Sequence, residues 1–330
     1  MLTVVTGAAG FIGSRLLAAL NQAGISKILA VDDLESSAKA KNLFGAEIED
    51  YQDKREFLAQ LESGRLDGSI DAIFHLGACS NTMETDGRYM MENNYAYSKA
   101  VFDWCQDDEV PLIYASSAAV YGAGREFAEE RGNEYPLNVY AYSKFLFDQY
   151  VRTRMDGRTA QVAGLRYFNV YGPNESHKRE FGMISVALRA YEQLKAEGRV
   201  KLFVGSDGYG DGEQQRDFVH VDDAVKVKLW LLENRDVSGI FNCGGGRAQT
   251  FNEVAAAVIN TVNGSSLSIN ELIDGGKIQY IPFPGQLAGK YQSYTQADLG
   301  RLREAGYEGS FRSVQEGVAG YVRELMKGNG

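Results

Sequence analysis

Short apolar runs alternate with longer amphipathic stretches through the first half of this chain. The apolar runs are rich in branched and aromatic side chains, as β-strands are, and they occupy residues 2–6, 27–32, 71–76, 110–115 and 161–168. The stretches between them predict helices over residues 11–23, 53–63, 86–106 and 138–154. Because apolar strands that alternate with helices are typical of parallel sheets, the pattern predicts an α/β fold with a doubly wound parallel sheet.

After Phe168 the pattern loosens into polar, glycine-punctuated segments such as 205–215. A helix is predicted again over 221–234, and "SGIFNCGGG" at 238–246 predicts a further strand and turn. The chain therefore leaves its first domain and returns to it once. We predict a larger domain and a smaller C-terminal lobe, which comprise residues 1–168 with 217–245, and residues 169–216 with 246–330.

Three glycines separate the first predicted strand from the first predicted helix. In "VVTGAAGFIGSRLLAAL", Gly7 permits a tight turn, Gly10 lets the backbone approach a pyrophosphate, and Gly13 allows the helix to pack closely on the strand. The N–H groups at the start of the helix are suited to bind that pyrophosphate. Asp32 ends the next strand, where an acidic side chain binds a ribose hydroxyl. The larger domain is therefore predicted to be a Rossmann-like dinucleotide-binding domain, and the smaller lobe to bind the substrate.

The residues around Asp32 leave the choice of dinucleotide open. Asp32 alone favours NAD over NADP, because a carboxylate suits a free 2′-hydroxyl. Lys39, Lys41 and Lys54 follow in the sequence and could neutralise a 2′-phosphate.

Composition and charge limit the kinds of partner and the cellular compartment that we expect for this chain. The 330-residue chain carries a net charge of −10 without a lysine–arginine block, which argues against nucleic-acid binding. No apolar run approaches the roughly 20 residues of a membrane span, and the strand that begins near Thr3 leaves no room for a secretory leader. The odd, scattered Cys79, Cys105 and Cys243 favour free thiols in a reducing cytoplasm. The three histidines are far apart, so no metal is expected.

The pentapeptide "YAYSK" occurs twice, at 95–99 and at 140–144. Each copy places a tyrosine four residues before a lysine, so that the two side chains share one face of a helix. A tyrosine beside a lysine is a plausible proton-transfer pair, because an ammonium group stabilises the phenolate. Tyr140 would lie in the first turn of its helix, at the edge of the sheet where ligands bind, whereas Tyr95 would lie deeper along its helix.

Several motifs resemble the extended short-chain dehydrogenases and reductases that act on sugar nucleotides. These are the G-x-x-G-x-x-G spacing, "HLGA" at 75–78, "YASSAAVYG" at 114–122, the second "YAYSK" and "RDFVHVDDA" at 216–224. The resemblance implies that Tyr140 is the acid–base residue, that Lys144 holds the nicotinamide ribose, and that Ser117, or else Ser116, contacts the reacting oxygen. It also places Leu76, Gly77 and Ala78 at the cofactor.

Longer phrases are similar to the ADP-heptose 6-epimerases within that family, among them "ACSNTMETDGRYMMENNYAYSK", "RYFNVYGPNESHK" and "YIPFPGQLAGKYQSYTQADL". This resemblance implies cofactor contacts at Phe11, Ile12, Asp32, Asp33, Lys39, Lys54, Asn93, Lys144, Val170 and Lys178. It implies substrate contacts at Ser80, Asn169, Phe203, Val204, Gly205, Ser206, Arg216 and Tyr291. One departure is Asp33, which stands where an asparagine is common and adds negative charge near a 2′-phosphate.

The same resemblance implies an activity. An ADP-heptose would be oxidised at C6″ to a transient ketone by tightly held NADP, with NAD as the alternative, and then reduced on the other face. Lys178 would be a second proton-transfer residue opposite Tyr140. Family members are cytoplasmic bacterial homopentamers that serve the lipopolysaccharide inner core, and these properties are expected here.

Other functions remain open on sequence alone. A UDP-hexose 4-epimerase would share the fold and the tyrosine, serine and lysine, and a non-catalytic dinucleotide-binding protein would share the fold. A sugar-nucleotide dehydratase is disfavoured, because Ala118 and Ala119 follow Ser117 where dehydratases place an Asp–Glu pair.

Overall fold

A seven-stranded parallel sheet organises the larger part of the chain, in a computed structural model that describes residues 1–283 and 292–328. The strands are β1 (Leu2–Thr6), β2 (Ile28–Asp32), β3 (Asp50–Asp53), β4 (Ile70–His75), β5 (Leu112–Ser117), β6 (Val162–Tyr167), β7 (Asn169–Tyr171), β8 (Val200–Phe203), β9 (Gln215–His220), β10 (Gly239–Cys243), β11 (Ala248–Thr250) and β12 (Ile278–Ile281). The large sheet has the order β10-β6-β5-β4-β1-β2-β3. The predicted doubly wound parallel sheet is confirmed.

Helices cover both faces of this sheet and build the rest of the molecule. They are α1 (Phe11–Gln22), α2 (Ser37–Ala40), α3 (Lys54–Glu62), α4 (Gly87–Met90), α5 (Tyr97–Asp107), α6 (Val139–Arg152), α7 (Val186–Glu197), α8 (Val221–Glu233), α9 (Phe251–Asn263), α10 (Ile269–Asp274), α11 (Gly300–Glu304) and α12 (Val314–Met326). None of the helices in these two ranges is long and apolar enough to cross a membrane.

The predicted strands are observed with shifts of one or two residues at their ends, but β3 was not predicted. Its sequence, "DYQD", is polar, and two of its four residues are exposed. Among the described strands it pairs with β2 alone, at the edge of the sheet, where a strand needs no continuous apolar run. Hydrophobic patterning alone therefore could not identify it.

The helix predicted over 86–106 is divided into three parts. A π-helical segment, Met91–Ala96, separates α4 from α5. The wider turn lets two consecutive side chains, Asn93 and Asn94, point into the protein. Asn93 accepts a hydrogen bond from Lys54, and Asn94 bonds the backbone of Cys79. Such segments are rare and are frequent at functional sites.

The sheet reverses its winding direction between β1 and β4. From β1 the chain proceeds outward through β2 to β3, and then returns to β4 on the other side of β1. In open α/β sheets, ligands bind outside the carboxyl ends of the strands at such a switch point. The fold therefore places a ligand site at Gly7 and Leu76, the residues that follow these two strands.

A second group of elements packs around its own core. Strands β7, β9 and β11 form a small mixed sheet, and β8 pairs with β12. Helices α7, α9 and α12 pack against them and bury Leu188, Val258 and Val318. Leu302 and Tyr307, in and after α11, instead join the core of the large sheet. The boundaries of the two predicted lobes stay a prediction.

A buried cluster of charges lies beneath the carboxyl end of β5. Arg166 in β6 is fully buried, and its guanidinium binds Glu134 at 2.5 Å and Asp148 at 2.9 Å. Asp148 also accepts hydrogen bonds from the hydroxyls of Tyr114 and Ser116 in β5, at 2.9 and 2.8 Å. One guanidinium thus joins β6, helix α6 and, through Asp148, β5.

We predict that Arg166→Met lowers the free energy of unfolding by about 3–5 kcal/mol, because it removes the ion-pair partner of the buried Asp148 and leaves Glu134 with Arg152 alone. Arg152→Met is the matched control. Arg152 binds the same Glu134 at 2.7 Å but is partly exposed, so its loss should cost only about 1 kcal/mol. Urea denaturation of both variants measures the difference, and equal losses would contradict the role given to the buried guanidinium.

Candidate active site

The glycine turn after β1 approaches neighbouring backbone so closely that no side chain fits. Gly7 has φ +67°, and a Cβ there would lie 2.8 Å from the backbone of Leu76 and Gly77. A Cβ on Gly13 would lie 2.0 Å from the carbonyl oxygen of Gly7. Gly10 begins α1 without a side-chain cap, so the first N–H groups of the helix have no capping side chain. This turn fits the pyrophosphate of a dinucleotide.

A cluster of two carboxylates and two ammonium groups lies at the carboxyl end of β2. Lys39 binds Asp32 at 2.6 Å and Asp33 at 2.9 Å, and Lys54 binds Asp33 at 2.6 Å. Burial alone would raise the pKa of Asp33, but hydrogen bonds from the two lysines hold that pKa below its usual range. Lys54 also donates to the side-chain oxygen of Asn93 at 3.0 Å. Five of the predicted cofactor residues, Asn93 included, therefore meet at the end of β2, where Asp32 is expected to bind the ribose.

The remaining predicted cofactor residues lie along the same edge. Phe11 and Ile12 form the first turn of α1, and Leu76, Gly77 and Ala78 follow β4, where Gly77 N donates to Thr6 Oγ1 at 3.0 Å. Val170 is half-buried in β7.

Tyr140 lies in the first turn of α6, whose N-cap is the side chain of Asn138. Burial raises the pKa of the Tyr140 phenol, and a hydrogen bond with Ser117 acts in the opposite direction. Lys144, one turn further along, donates to the carbonyl oxygen of Ala115 at 2.8 Å. Burial lowers the pKa of Lys144 to about 8, although the carboxylate of Asp148 opposes this shift. Helix α6 and the end of β5 thus bring the predicted serine, tyrosine and lysine together.

The two serines at the end of β5 have different partners, although both partners belong to α6. The hydroxyl of Ser116 is buried and donates to Asp148, within the charge cluster under the sheet. Ser117 is on the side of Tyr140. Ser117 is therefore better placed for chemistry than Ser116.

The first "YAYSK" copy lies in a different environment. The Lys99 ammonium is 5.5 Å from the ring centroid of Tyr95 and 4.8 Å from that of Tyr150, and the two rings meet edge to face. These contacts join the outer sides of α5 and α6. Tyr95 and Lys99 thus form part of an aromatic contact between helices.

Lys178 lies in a 3₁₀ turn, Ser176–Phe181, that follows β7. Its ammonium is 5.6 Å from the ring centroid of Phe11, at the start of α1. Burial lowers the pKa of Lys178, and the nearby carboxylate of Glu175 opposes this shift. Lys178 is therefore held at the glycine turn, with a lowered pKa that suits a base.

The predicted substrate residues lie in two places. The segment 203–206, Arg216 and Asn169 lie in or beside the small sheet, whereas Ser80 follows β4. Gln214 donates to Val204 O and Ser206 Oγ at 3.1 and 3.2 Å, which brings the segment 203–206 beside β9 and Arg216. The Arg216 guanidinium is 5.7 Å from the ring centroid of Phe251. Asn169 is exposed in β7, the strand that pairs with β9. Ser80 is exposed after β4. Tyr291 lies outside the described residues.

Several residues that shape the site were not predicted. Asp148 and Arg166 were missed, although a charged residue inside the apolar run 161–168 and an acid one turn after Lys144 were available signals. Asn42 and Asn174 were missed as well, and their backbone surroundings give no sequence pattern that would reveal them.

No group of three or more His, Cys, Asp or Glu side chains within residues 1–283 and 292–328 is arranged to hold a metal ion. The described site offers a tyrosine, a serine and two lysines, together with a turn that fits a dinucleotide. That combination suits reversible oxidation of a hydroxyl.

Comparisons with known proteins agree with this geometry. The NAD dependent epimerase/dehydratase family matches residues 3–244. An ADP-L-glycero-D-manno-heptose-6-epimerase of Thiobacillus denitrificans is 58% identical over 329 residues, which cover 98% of each chain.

Solved structures show the same fold. The ADP-L-glycero-D-manno-heptose-6-epimerase of Helicobacter pylori superimposes with a TM-score of 0.80 and 27% identity, over 98% of this chain and 96% of that one. The UDP-glucose 4-epimerase of Thermus thermophilus, a complex with NAD, has a TM-score of 0.76 and 26% identity over 99% of both chains.

We predict that Tyr140→Phe lowers turnover at least about 100-fold, because the phenol that exchanges the proton is lost. Tyr95→Phe, the same change in the other pentapeptide, should leave turnover within about twofold, because it removes only a hydroxyl from an aromatic contact. Steady-state rates of both variants test the assignment. Loss of activity in Tyr95→Phe with normal activity in Tyr140→Phe would reverse it.

Proposed function

Because the chain belongs to the NAD dependent epimerase/dehydratase family, we propose that it inverts a single carbon of a sugar nucleotide. The substrate is ADP-D-glycero-D-manno-heptose and the product is ADP-L-glycero-D-manno-heptose, which differ at C6″. The observation that carries this proposal is the 58% identity, over nearly the whole of both chains, to an enzyme of that name. The serine, tyrosine and lysines described above supply groups that the reaction requires.

Tyr140, as its phenolate, takes the proton from the C6″ hydroxyl and becomes a neutral phenol, while Ser117 hydrogen-bonds the same oxygen. A nicotinamide held beside these residues would supply reversible hydride transfer at C6″. Lys144 holds the nicotinamide ribose from α6, beside Tyr140. Because one hydride is removed and returned, no net oxidation occurs.

Inversion requires that the ketone oxygen occupy two positions in turn, since the hydride returns to the other face of the carbon. One tyrosine in the first turn of a rigid helix cannot serve both positions. We propose that Lys178 serves the second one. Its support is its place in a turn next to Phe11 and its lowered pKa, which lets a larger share of the amine act as a base near neutral pH.

We propose NADP as the preferred cofactor, with NAD as the alternative. Lys39 and Lys54 converge on one point beside Asp32, where two ammonium groups could hold a 2′-phosphate. Asp33 now binds both of them and must be displaced by the phosphate. Asp33 therefore limits the preference for NADP.

The likeness to ADP-heptose 6-epimerases also supports a cytoplasmic bacterial enzyme that assembles as a homopentamer and serves lipopolysaccharide inner-core synthesis. Incubating the purified protein with each ADP-heptose epimer, and separately with UDP-glucose, tests the substrate. NMR of the products should show interconversion of the heptoses and none of the UDP-hexoses. The reverse result would favour a UDP-hexose 4-epimerase.

We predict that Lys178→Met abolishes epimerisation, with a loss of at least about 100-fold, while the cofactor still binds. Mixing the variant with each epimer separately, and following the transient reduction of bound cofactor by absorbance, should show that only one epimer is still oxidised. Tyr140→Phe should show the opposite dependence on the epimer. A Lys178→Met enzyme that epimerises at the normal rate would remove Lys178 from the mechanism.

The protein should bind NADP more tightly than NAD, and replacing Lys39 and Lys54 together with Met should lower the NADP to NAD affinity ratio at least about tenfold, since hydrogen bonds to a charged group are lost. Asp33→Asn should raise the ratio, because it frees both lysines. Titration of cofactor-stripped protein measures the ratio. Equal affinities in the unmodified protein would contradict the proposed preference.

A further inference from the structure

One side-chain amide touches both the glycine turn and the turn that carries Lys178. Asn42 Nδ2 donates to the carbonyl oxygen of Ala9 at 2.9 Å and to that of Asn174 at 3.2 Å. It also lies 3.3 Å from Nδ1 of His177. Burial lowers the pKa of His177 to about 4, so the imidazole is neutral near pH 7 and its Nδ1 can accept a hydrogen bond. Asn42 thus contacts the residue directly before Lys178.

A second amide reinforces this connection from the other side. Asn174 has φ +74°, a left-handed conformation that an asparagine adopts more readily than most residues. Its Nδ2 donates to Ser14 Oγ, in the first turn of α1, at 3.0 Å. The start of the segment 174–178 is therefore fastened to the dinucleotide-binding turn by two amides.

The position of Asn42 in the chain connects it with the cofactor as well. The short helix α2 and the 3₁₀ turn Lys41–Leu43 form one continuous segment, 37–43. At one end Lys39 binds Asp32 and Asp33, where the adenosine ribose is expected. At the other end Asn42 holds the Lys178 turn. A displacement of this segment therefore reaches both places.

We propose that Asn42 is a positioning residue that fixes the Lys178 turn on the glycine turn, so that the second proton-transfer group is aligned from the cofactor side. The inference rests on the proposed role of Lys178. It goes beyond that role because it says which residue outside the turn controls it. Removing the Asn42 amide frees the carbonyl of Asn174 and the ring of His177, and it leaves α6, Tyr140 and Ser117 untouched.

Because only the Lys178 turn is affected, the two ADP-heptose epimers should respond differently to the loss of Asn42. In Asn42→Ala, the epimer whose oxidation depends on Lys178 should reduce the bound cofactor at least about tenfold more slowly, while the epimer that depends on Tyr140 should stay within about threefold of the unmodified enzyme. The dissociation constant of the cofactor should also stay within about threefold. Stopped-flow absorbance with each ADP-heptose epimer and cofactor titration measure these quantities.

The pH profile separates positioning from a loss of folding. Burial lowers the pKa of Lys178, and its titratable neighbours are Glu175, which opposes that shift, and the neutral His177. A loosened turn exposes the amine to water, so its pKa rises toward the ordinary value. In Asn42→Ala the rise in rate with pH should therefore move to higher pH for the Lys178-dependent epimer alone.

Asn21→Ala is the matched control. Asn21 also donates its amide to two backbone carbonyls, Ile25 O at 3.0 Å and Glu47 O at 2.8 Å, but at the far end of α1. The Asn21→Ala variant should leave the oxidation rate of each epimer, and the pH dependence of that rate, unchanged. Asn174→Gly is a second test that keeps the left-handed backbone and removes the bond to Ser14, and it should reproduce the selective loss.

The outcomes distinguish the two proposals. If Lys178→Met is inactive but Asn42→Ala and Asn174→Gly behave like Asn21→Ala, the positioning role is wrong and the role of Lys178 stands. Equal slowing of both epimers in Asn42→Ala would also overturn the positioning role, because Asn42 would then support the whole site. Normal epimerisation by Lys178→Met would instead overturn the proposed function of the turn.

Discussion

The geometry of the site depends first on a buried ion cluster. Arg166 is fully buried, and its guanidinium holds Glu134 and Asp148, which are buried as well. Buried ions are costly unless each is paired, so the arrangement tolerates few alternatives. Asp148 then binds the hydroxyls of Tyr114 and Ser116, which fixes the end of β5 against α6. Because Ser117 follows on β5, and α6 carries Tyr140 and Lys144, the cluster sets the distance between the serine and the tyrosine. The proposed reactive groups are thereby positioned by a buried network of ions and hydroxyls.

The cofactor edge follows a second constraint, the closeness of backbone to backbone. A side chain on Gly7 or Gly13 would collide with neighbouring backbone atoms, so the turn can keep its shape only with glycine. The same edge holds Asp32 and Asp33 close together, and two lysines compensate their charge. The local charge is thus balanced before any cofactor binds. An incoming anion must compete with a carboxylate already in place, which makes Asp33 the residue that distinguishes this edge from one with an uncharged asparagine.

The sequence was sufficient to predict what depends on local pattern. The apolar strands, the glycine turn, Asp32 and the helix that carries Tyr140 each have a signature within a few residues. It was insufficient where polar residues gain their role from distant partners. The polar strand β3 is stabilised by its pairing with β2, and Asn42 acquires its contacts from segments far away in the chain, such as the one that contains Asn174. The π-helical segment Met91–Ala96 could not be predicted from the sequence either, because its apolar spacing differs little from that of an α-helix. Of the candidate site, the sequence could supply the expected reactive residues, and it could not supply the contacts that position them.

An enzyme that removes and returns one hydride must let its substrate move while its own groups stay fixed. The described structure separates these demands. Tyr140 sits on a capped helix above a buried ion cluster, and the Lys178 turn is fastened on two sides. On one side Asn174 binds the first turn of α1. On the other, Glu175 accepts hydrogen bonds from the backbone and hydroxyl of Ser185, the N-cap of α7, at 2.5 and 2.6 Å. The two proposed proton-transfer groups are therefore each carried by a segment that side-chain hydrogen bonds fix to its neighbours. We therefore propose that the ketone itself changes face, and that the surface around Asn169 and Arg216, on the small sheet, guides it.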